Sequence, residues 1–215
     1  MEKVTISPGN TKLKNIASFS LPAVDTCPGS TPDCRKYCNM KMDMLLKPTV
    51  RKSYEKNLKA TSDTHFKYIL TYLLEQQPGR VARFHVSGDF FSQRYINSVF
   101  YACRQNPGKV FFAFSKSLHL KQFNFKHKPQ NLRLISSHNK GKHRAIVVKR
   151  PADTPEGYKL CEGHCGEHPE PGENLKLCSY CWTAETVRVA FWSAKHKSAA
   201  KAWQTKRERK SNNGR

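Results

Sequence analysis

Three observations predict an α/β fold built on a mostly parallel sheet. Short segments rich in apolar and β-branched residues recur along the chain. The early ones are separated by stretches with the 3.6-residue periodicity of amphipathic helices. The segment KVFFAFSKS, 109–117, is apolar without alternation, as expected of a strand buried on both faces.

Residues 1–15 read as irregular. IASFSLPA, 16–23, is a short strand stopped by Pro22. CPGSTPDCRKYC, 27–38, reads as a loop, because Pro28, Gly29 and Pro32 interrupt regular structure. VRKSYEKNLKA after Pro48 is helix-like. Ser62 and Asp63 can cap a second helix, whose Phe66, Ile69, Leu70, Leu73 and Leu74 share one face and which Pro78-Gly79 ends. VARFHVSGD, 81–89, is a strand. Ser92 can cap the next helix, with the stripe Tyr95, Ile96, Val99, Phe100 and Cys103, and Asn106-Pro107-Gly108 closes it. Cys103 falls in that stripe and reads as core. After the 109–117 strand, NLRLISS (131–137), HRAIVVK (143–149) and VRVAFW (187–192) bring the strands to six. A cysteine-rich excursion occupies 158–183. The chain reads as one domain, 1–194, followed by a basic tail, 195–215, helical around Ala199–Trp203.

The 215 residues hold 38 Lys and Arg against 16 Asp and Glu, a formal charge of +22. The tail has eight basic residues and one acidic, a net of +7, which leaves 22 − 7 = +15 on the rest. A body this basic points to a polyanion, with nucleic acid the leading partner. No run approaches the roughly 18 apolar residues of a membrane span. The first 15 residues contain no apolar signal core, so a cytoplasmic location is expected. Thiols there are reduced, and clustered cysteines read first as metal ligands.

Two cysteine sets stand out. Cys27, Cys34 and Cys38, spaced C-x6-C-x3-C, can bend toward one centre: Zn2+ with a fourth ligand from elsewhere, or a 4Fe-4S cluster with one iron open. Cys161, Cys165, Cys178 and Cys181, spaced C-x3-C-x12-C-x2-C, read as a structural Zn2+ site or a second cluster, with His164 or His168 able to replace one thiol. HVSGDFF, 85–91, sits at a strand end, where open α/β sheets and barrels bind ligands. His85, Ser87 and Asp89 can face such a site, and Gly88 lets a ligand approach the backbone; the alternative is an ordinary turn that starts a helix. Lys116 and His138 also lie just past strand ends.

The motifs SFSLPAVDTCPGSTPDCRKYC, RFHVSGDFFS, FFAFSKS, HRAIVV and CSYCW followed by VAFWSAKH occur in that order over residues 17–196. Together they resemble the phage and plasmid gene product 88 family. That resemblance implies a mobile-element origin, with the host cytoplasm as location, and little mechanism. A second resemblance is structural. The cysteine loop after the first strand, Tyr37 before its last cysteine, and a small-Gly-acid turn after the second strand are similar to features of radical S-adenosylmethionine enzymes, with wider cysteine spacing. It implies a partial (β/α)6 barrel and a 4Fe-4S cluster on Cys27, Cys34 and Cys38. S-adenosyl-L-methionine would sit at the open iron, with Ser87, Gly88 and Asp89 beside its methionine moiety.

The expectation is thus a degenerate partial barrel of about six mostly parallel strands with a cysteine-rich metal-binding insert. Its expected activity is metal-dependent, iron–sulfur modification of a base or nucleotide. His85, Asp89 and Lys116 are the candidate catalytic residues. Lys116, His138 and the tail residues Lys206, Arg207, Arg209 and Lys210 would hold nucleic acid. Two other readings stand beside it: a zinc-stabilised, non-catalytic DNA- or RNA-binding protein, and a zinc-dependent nuclease with His85 and Asp89 at the metal.

Overall fold

The computed structural model describes residues 3–10, 12–166 and 177–192. In chain order these form β1 (Leu13–Lys14), β2 (Ala17–Phe19), α1 (Pro32–Lys36), α2 (Asn39–Leu46), α3 (Pro48–Ala60), α4 (Phe66–Glu75), β3 (Val81–Phe84), α5 (Gln93–Gln105), β4 (Val110–Ser115), β5 (Leu132–Ser136), β6 (Arg144–Val148), β7 (Lys159–Leu160), β8 (Cys165–Gly166), α6 (Tyr180–Thr183) and β9 (Arg188–Trp192). A seven-stranded sheet has the order β2-β3-β4-β5-β6-β9-β7, and every pair in it is parallel. β1 and β8 form a separate parallel pair.

All six strands expected from the sequence are present, each shorter than its apolar run. The first five lie in sequential order, so each chain segment crosses to the next neighbour. Successive crossovers that move the same way along a parallel sheet and keep one hand stack their helices on one face. α4 and α5 follow the rule. Phe66, Leu70 and Leu74 of α4 and Tyr95, Ile96, Val99, Phe100, Ala102 and Cys103 of α5 are buried in one cluster with Ala82, Phe84, Phe111 and Ala113. Each large apolar side chain buried there contributes about 1.5–3 kcal/mol. α5 begins where Ser92 accepts a hydrogen bond from Tyr95 N. α4 lacks a side-chain cap; Asp63 instead accepts from His65 N and shapes the turn before it.

The opposite face carries Val81, Phe112, Ile135, Ala145 and Val189. It is covered by Leu13, Ile16, Cys181 and Trp182, with Trp182 stacked on Phe112 at 5.3 Å. The sheet is open, with β2 and β7 at its edges. The β2 edge is shielded by residues near Ser7, whose backbone bridges Ser18, and Asn57 of α3 bonds to both Thr5 and Ser20. Among the described residues no helix is long and apolar enough to cross a membrane.

The 27–38 stretch differs from the expected loop, since residues 32–36 and 39–46 are helical. Residues 27–31 keep the expected loop, with Pro28 in a turn, but Pro32 does not break structure: it occupies the first helical turn, where its missing N–H costs nothing. Thr31 caps α1 by accepting from Cys34 N.

Candidate active site

The carboxyl ends of β2, β3, β4 and β5 bring the first cysteine set and the HVSGD turn together. Past β2, Thr26 Oγ1 donates to Pro22 O (2.7 Å) and Cys27 N to Val24 O (3.1 Å), forming a tight turn. The chain then folds back across the sheet end. Gly29 lies so close to β4 that an added Cβ would sit 2.4 Å from Lys116 O and 2.9 Å from Ser117 N. Only glycine fits this contact, and it fixes the cysteine loop over the end of β4. Cys38 caps α2, its Sγ accepting from Lys41 N at 3.4 Å. Cys27, Cys34 and Cys38 are free thiols, each half-buried.

These thiols and Asp89 lie near enough to feel one another's charge. Burial chiefly pushes the Cys27 thiol up to about 12, and Asp89, Cys38 and Cys34 add to it. Burial also raises Cys34, against the pull of the Lys116 ammonium. Two non-glycine residues with positive φ flank this place, Val24 (75°) in the turn that follows β2 and His85 (64°) directly after β3. Such backbone costs on the order of 1–3 kcal/mol per residue and concentrates at functional sites.

Within HVSGD the side chains diverge. His85 turns into the helix-covered core, where Nε2 hydrogen-bonds Tyr95 Oη at 2.8 Å and the ring meets the edge of Phe90 at 4.5 Å. Its Nδ1 has no hydrogen-bond partner among the described residues. Burial, and then Arg83, hold its pKa down at about 3, so it is neutral. Asp89 reaches the other way. Its Oδ1 accepts from Ser115 Oγ (2.6 Å) and Phe90 N (2.7 Å), and its Oδ2 from Lys116 N (2.8 Å). It therefore ties the β3 turn to the end of β4, and burial raises its pKa despite the three donors. Gly88 (φ 80°) packs on Thr26 and Leu21 where a Cβ would collide. The buried Ser87 hydroxyl has no hydrogen-bond partner among the described residues.

Lys116 Nζ donates to Ser137 O at 3.4 Å. Next to it stand two imidazoles, His119 and His138, with ring centroids 5.9 Å apart, and His119 Nε2 pairs with Ser136 Oγ at 2.7 Å. Burial lowers the His119 pKa, helped by His138 and Lys140. His119 was not among the residues expected from the sequence, although SLHL just past β4 obeys the same strand-end logic as Lys116.

The second cysteine set lies against the opposite sheet face. Cys161 and Cys165 share a thiol–thiol hydrogen bond, which favours ionisation of Cys161 and opposes that of Cys165. Cys165 bridges Cys178 through the backbone, and Cys181 is buried in α6. Burial, then Cys161, raises the Cys181 thiol to about 12. His164 contributes its backbone carbonyl to Cys178 N at 2.7 Å. Among the described residues no group of three or more His, Cys, Asp or Glu side chains is placed to hold a metal ion as it stands. The donor types of both sets nonetheless suit thiophilic metals. His168, Lys206, Arg207, Arg209 and Lys210 lie outside the described residues.

A family model described as Gene product 88 matches residues 2–156, a span that contains the rim residues and ends before the second cysteine set. No curated protein and no solved structure matches the chain.

Proposed function

We propose that this chain, which belongs to the gene product 88 family, holds one metal centre on Cys27, Cys34 and Cys38 and acts there on nucleic acid. The observation that carries the reading is the packing of the cysteine loop over the end of β4, with Gly29 against Lys116 and Ser117 and Asp89 bonded to Lys116 N at the same strand end. A three-thiolate site leaves a coordination position open, which suits an iron–sulfur cluster that binds a ligand. Such a group would supply an electron, or Lewis acidity, to a molecule at its open position. S-adenosyl-L-methionine is the molecule to test first. In this reading Asp89 fixes the floor of the site by holding the ends of β3 and β4 together. Lys116, His119 and His138 present cationic and hydrogen-bonding groups to a phosphate. The four-cysteine segment is read as a metal-binding insert, and the sequential sheet as an incomplete barrel.

The zinc-stabilised binding protein without catalysis is favoured by a different observation. Both oxygens of Asp89 are engaged in the fold, and His85 is turned into the core, which leaves neither free to act as a metal ligand or base.

Metal analysis of protein purified without oxygen separates the two. Iron and sulfide with a brown colour are expected, whereas zinc alone would favour the binding protein. Replacing Cys27, Cys34 or Cys38 singly by Ala is expected to lower the metal content at this centre and leave the second set loaded. Unchanged stoichiometry in all three variants would end the proposal. Nucleic-acid affinity is expected to fall with salt, with a log–log slope of about −0.9 per neutralised phosphate on duplex DNA. Deleting residues 195–215 should flatten that slope without abolishing binding. Salt-independent affinity would contradict the phosphate-contact reading.

A further inference from the structure

Along β3, Ala82 and Phe84 belong to the helix-covered cluster and Val81 to the other. Alternation therefore directs Arg83 to the face covered by the cysteine segment. Strand register aligns Arg83 with Phe112 and Phe112 with Arg133. Two guanidinium groups thus flank Phe112 on a face whose other members are apolar.

Among the described residues neither arginine is matched by a carboxylate. The Arg83 guanidinium lies 5.9 Å from the Phe112 ring centre and 5.2 Å from that of Phe114. Among the described residues its buried Nε has no partner, and Nη2 makes only a long bond, 3.4 Å, to His85 O. Arg133 Nη1 donates to Ala184 O (2.6 Å), at the end of the helix that carries Cys181. Among the described residues neither takes part in an ion pair. The groups near them that can become negative are thiols: Cys161, Cys165 and Cys181 around Arg83, and Cys181 beside Arg133. A buried charge without a counter-charge is costly, which bears on Arg83 with its buried Nε more than on the half-buried Arg133.

Deepening the reading of the four-cysteine segment as a metal site, and resting on it, we propose that Arg83 and Arg133 balance the charge of a tetrathiolate Zn2+ centre on Cys161, Cys165, Cys178 and Cys181. Binding Zn2+ displaces four thiol protons and leaves a complex of charge 2−. Two guanidinium groups cancel that charge. They also supply the N–H donors that thiolate sulfurs take from their surroundings. The centre forms when the sulfurs close to about 2.3 Å from the metal. It would then pin the cysteine segment to the sheet through charge as well as through Trp182.

The test uses the full chain carrying Cys27→Ser, Cys34→Ser and Cys38→Ser, so that one thiol set remains. Titrated with Co2+, it is expected to show thiolate-to-cobalt charge transfer and the visible bands of a tetrahedral tetrathiolate, both lost on adding Zn2+. Arg83→Met and Arg133→Met are each expected to weaken Zn2+ binding, measured by chelator competition, by about ten- to hundredfold. Arg83→Lys, which keeps the charge, should restore most of it. Absence of the charge-transfer band in the parent would remove the centre and the inference with it. A band with unchanged Zn2+ affinity in both Met variants would leave the centre standing and overturn the role of the arginines. Should Arg83→Met fail to fold, Arg133→Met and Arg83→Lys decide the matter by the same affinities.

Discussion

Asp89→Ala is expected to lower the free energy of unfolding by about 3–5 kcal/mol, one of the two largest effects foreseen for this protein. The carboxylate accepts from Ser115 Oγ, Lys116 N and Phe90 N in a place that is 5% exposed. Alanine leaves those donors buried and unmatched, and each unmatched donor costs about 1–3 kcal/mol. Asp89→Asn keeps the Oδ1 bonds but presents an NH2 to Lys116 N, so its cost should be intermediate. The acid also has a pH signature. Burial raises its folded pKa above the ordinary 3.8. Its contribution is therefore full below that value and is lost as pH rises through the folded pKa, because the native state holds its proton longer than the unfolded chain. The Asn variant should lack this loss. Urea titrations of the three proteins across pH measure both effects, and an Ala variant within about 1 kcal/mol of the parent would show that the tie does little.

Acid lability traced to His85 is the second. Its folded pKa is held at about 3, against 6.5 for the free group. The unfolded chain takes up a proton that the native core refuses. Stability from this residue is thus complete above about pH 6.5 and drains away as pH falls toward 3, by about 5 kcal/mol over the whole interval. Asp89 works in the opposite sense above pH 3.8 and offsets part of the loss. His85→Asn isolates the effect, since Asn tolerates the left-handed backbone at this position and does not titrate. The parent should lose stability on acidification faster than the variant; parallel curves would mean that His85 protonates freely in the native state.

The strands were legible because parallel strands buried on both faces leave continuous apolar runs, as in Val110–Ser115. β7, two residues long, has no pattern to read and exists through its pairing with β9. The helices around Cys34 and Cys38 were hidden because proline breaks a helix interior but starts a helix well. The rim itself could be read, since ligand-facing groups cluster past strand ends, and Lys116 and His138 lie there. The direction of His85 could not. Whether a side chain at the end of β3 faces the rim or the core depends on one φ angle, which the letters HVSGD do not encode. Arg83 could have been found: strict alternation through Val81–Phe84 puts a charge on an apolar face, which is a reason to ask what balances it.

β9 sits between β6 and β7 although it is the last of the described strands along the chain. On a ribosome, β6 would emerge with one side of its backbone unpaired and wait for residues 188–192 to be made. At about 5–20 residues per second the 39 residues from Arg150 to Arg188 take several seconds. During that interval the nascent sheet offers an open edge to any other extended segment. β7, whose one neighbour among the described strands is β9, would join last of all. Slowed or stalled synthesis in this stretch would prolong the exposure, and aggregation of the newly made protein is expected to rise with it.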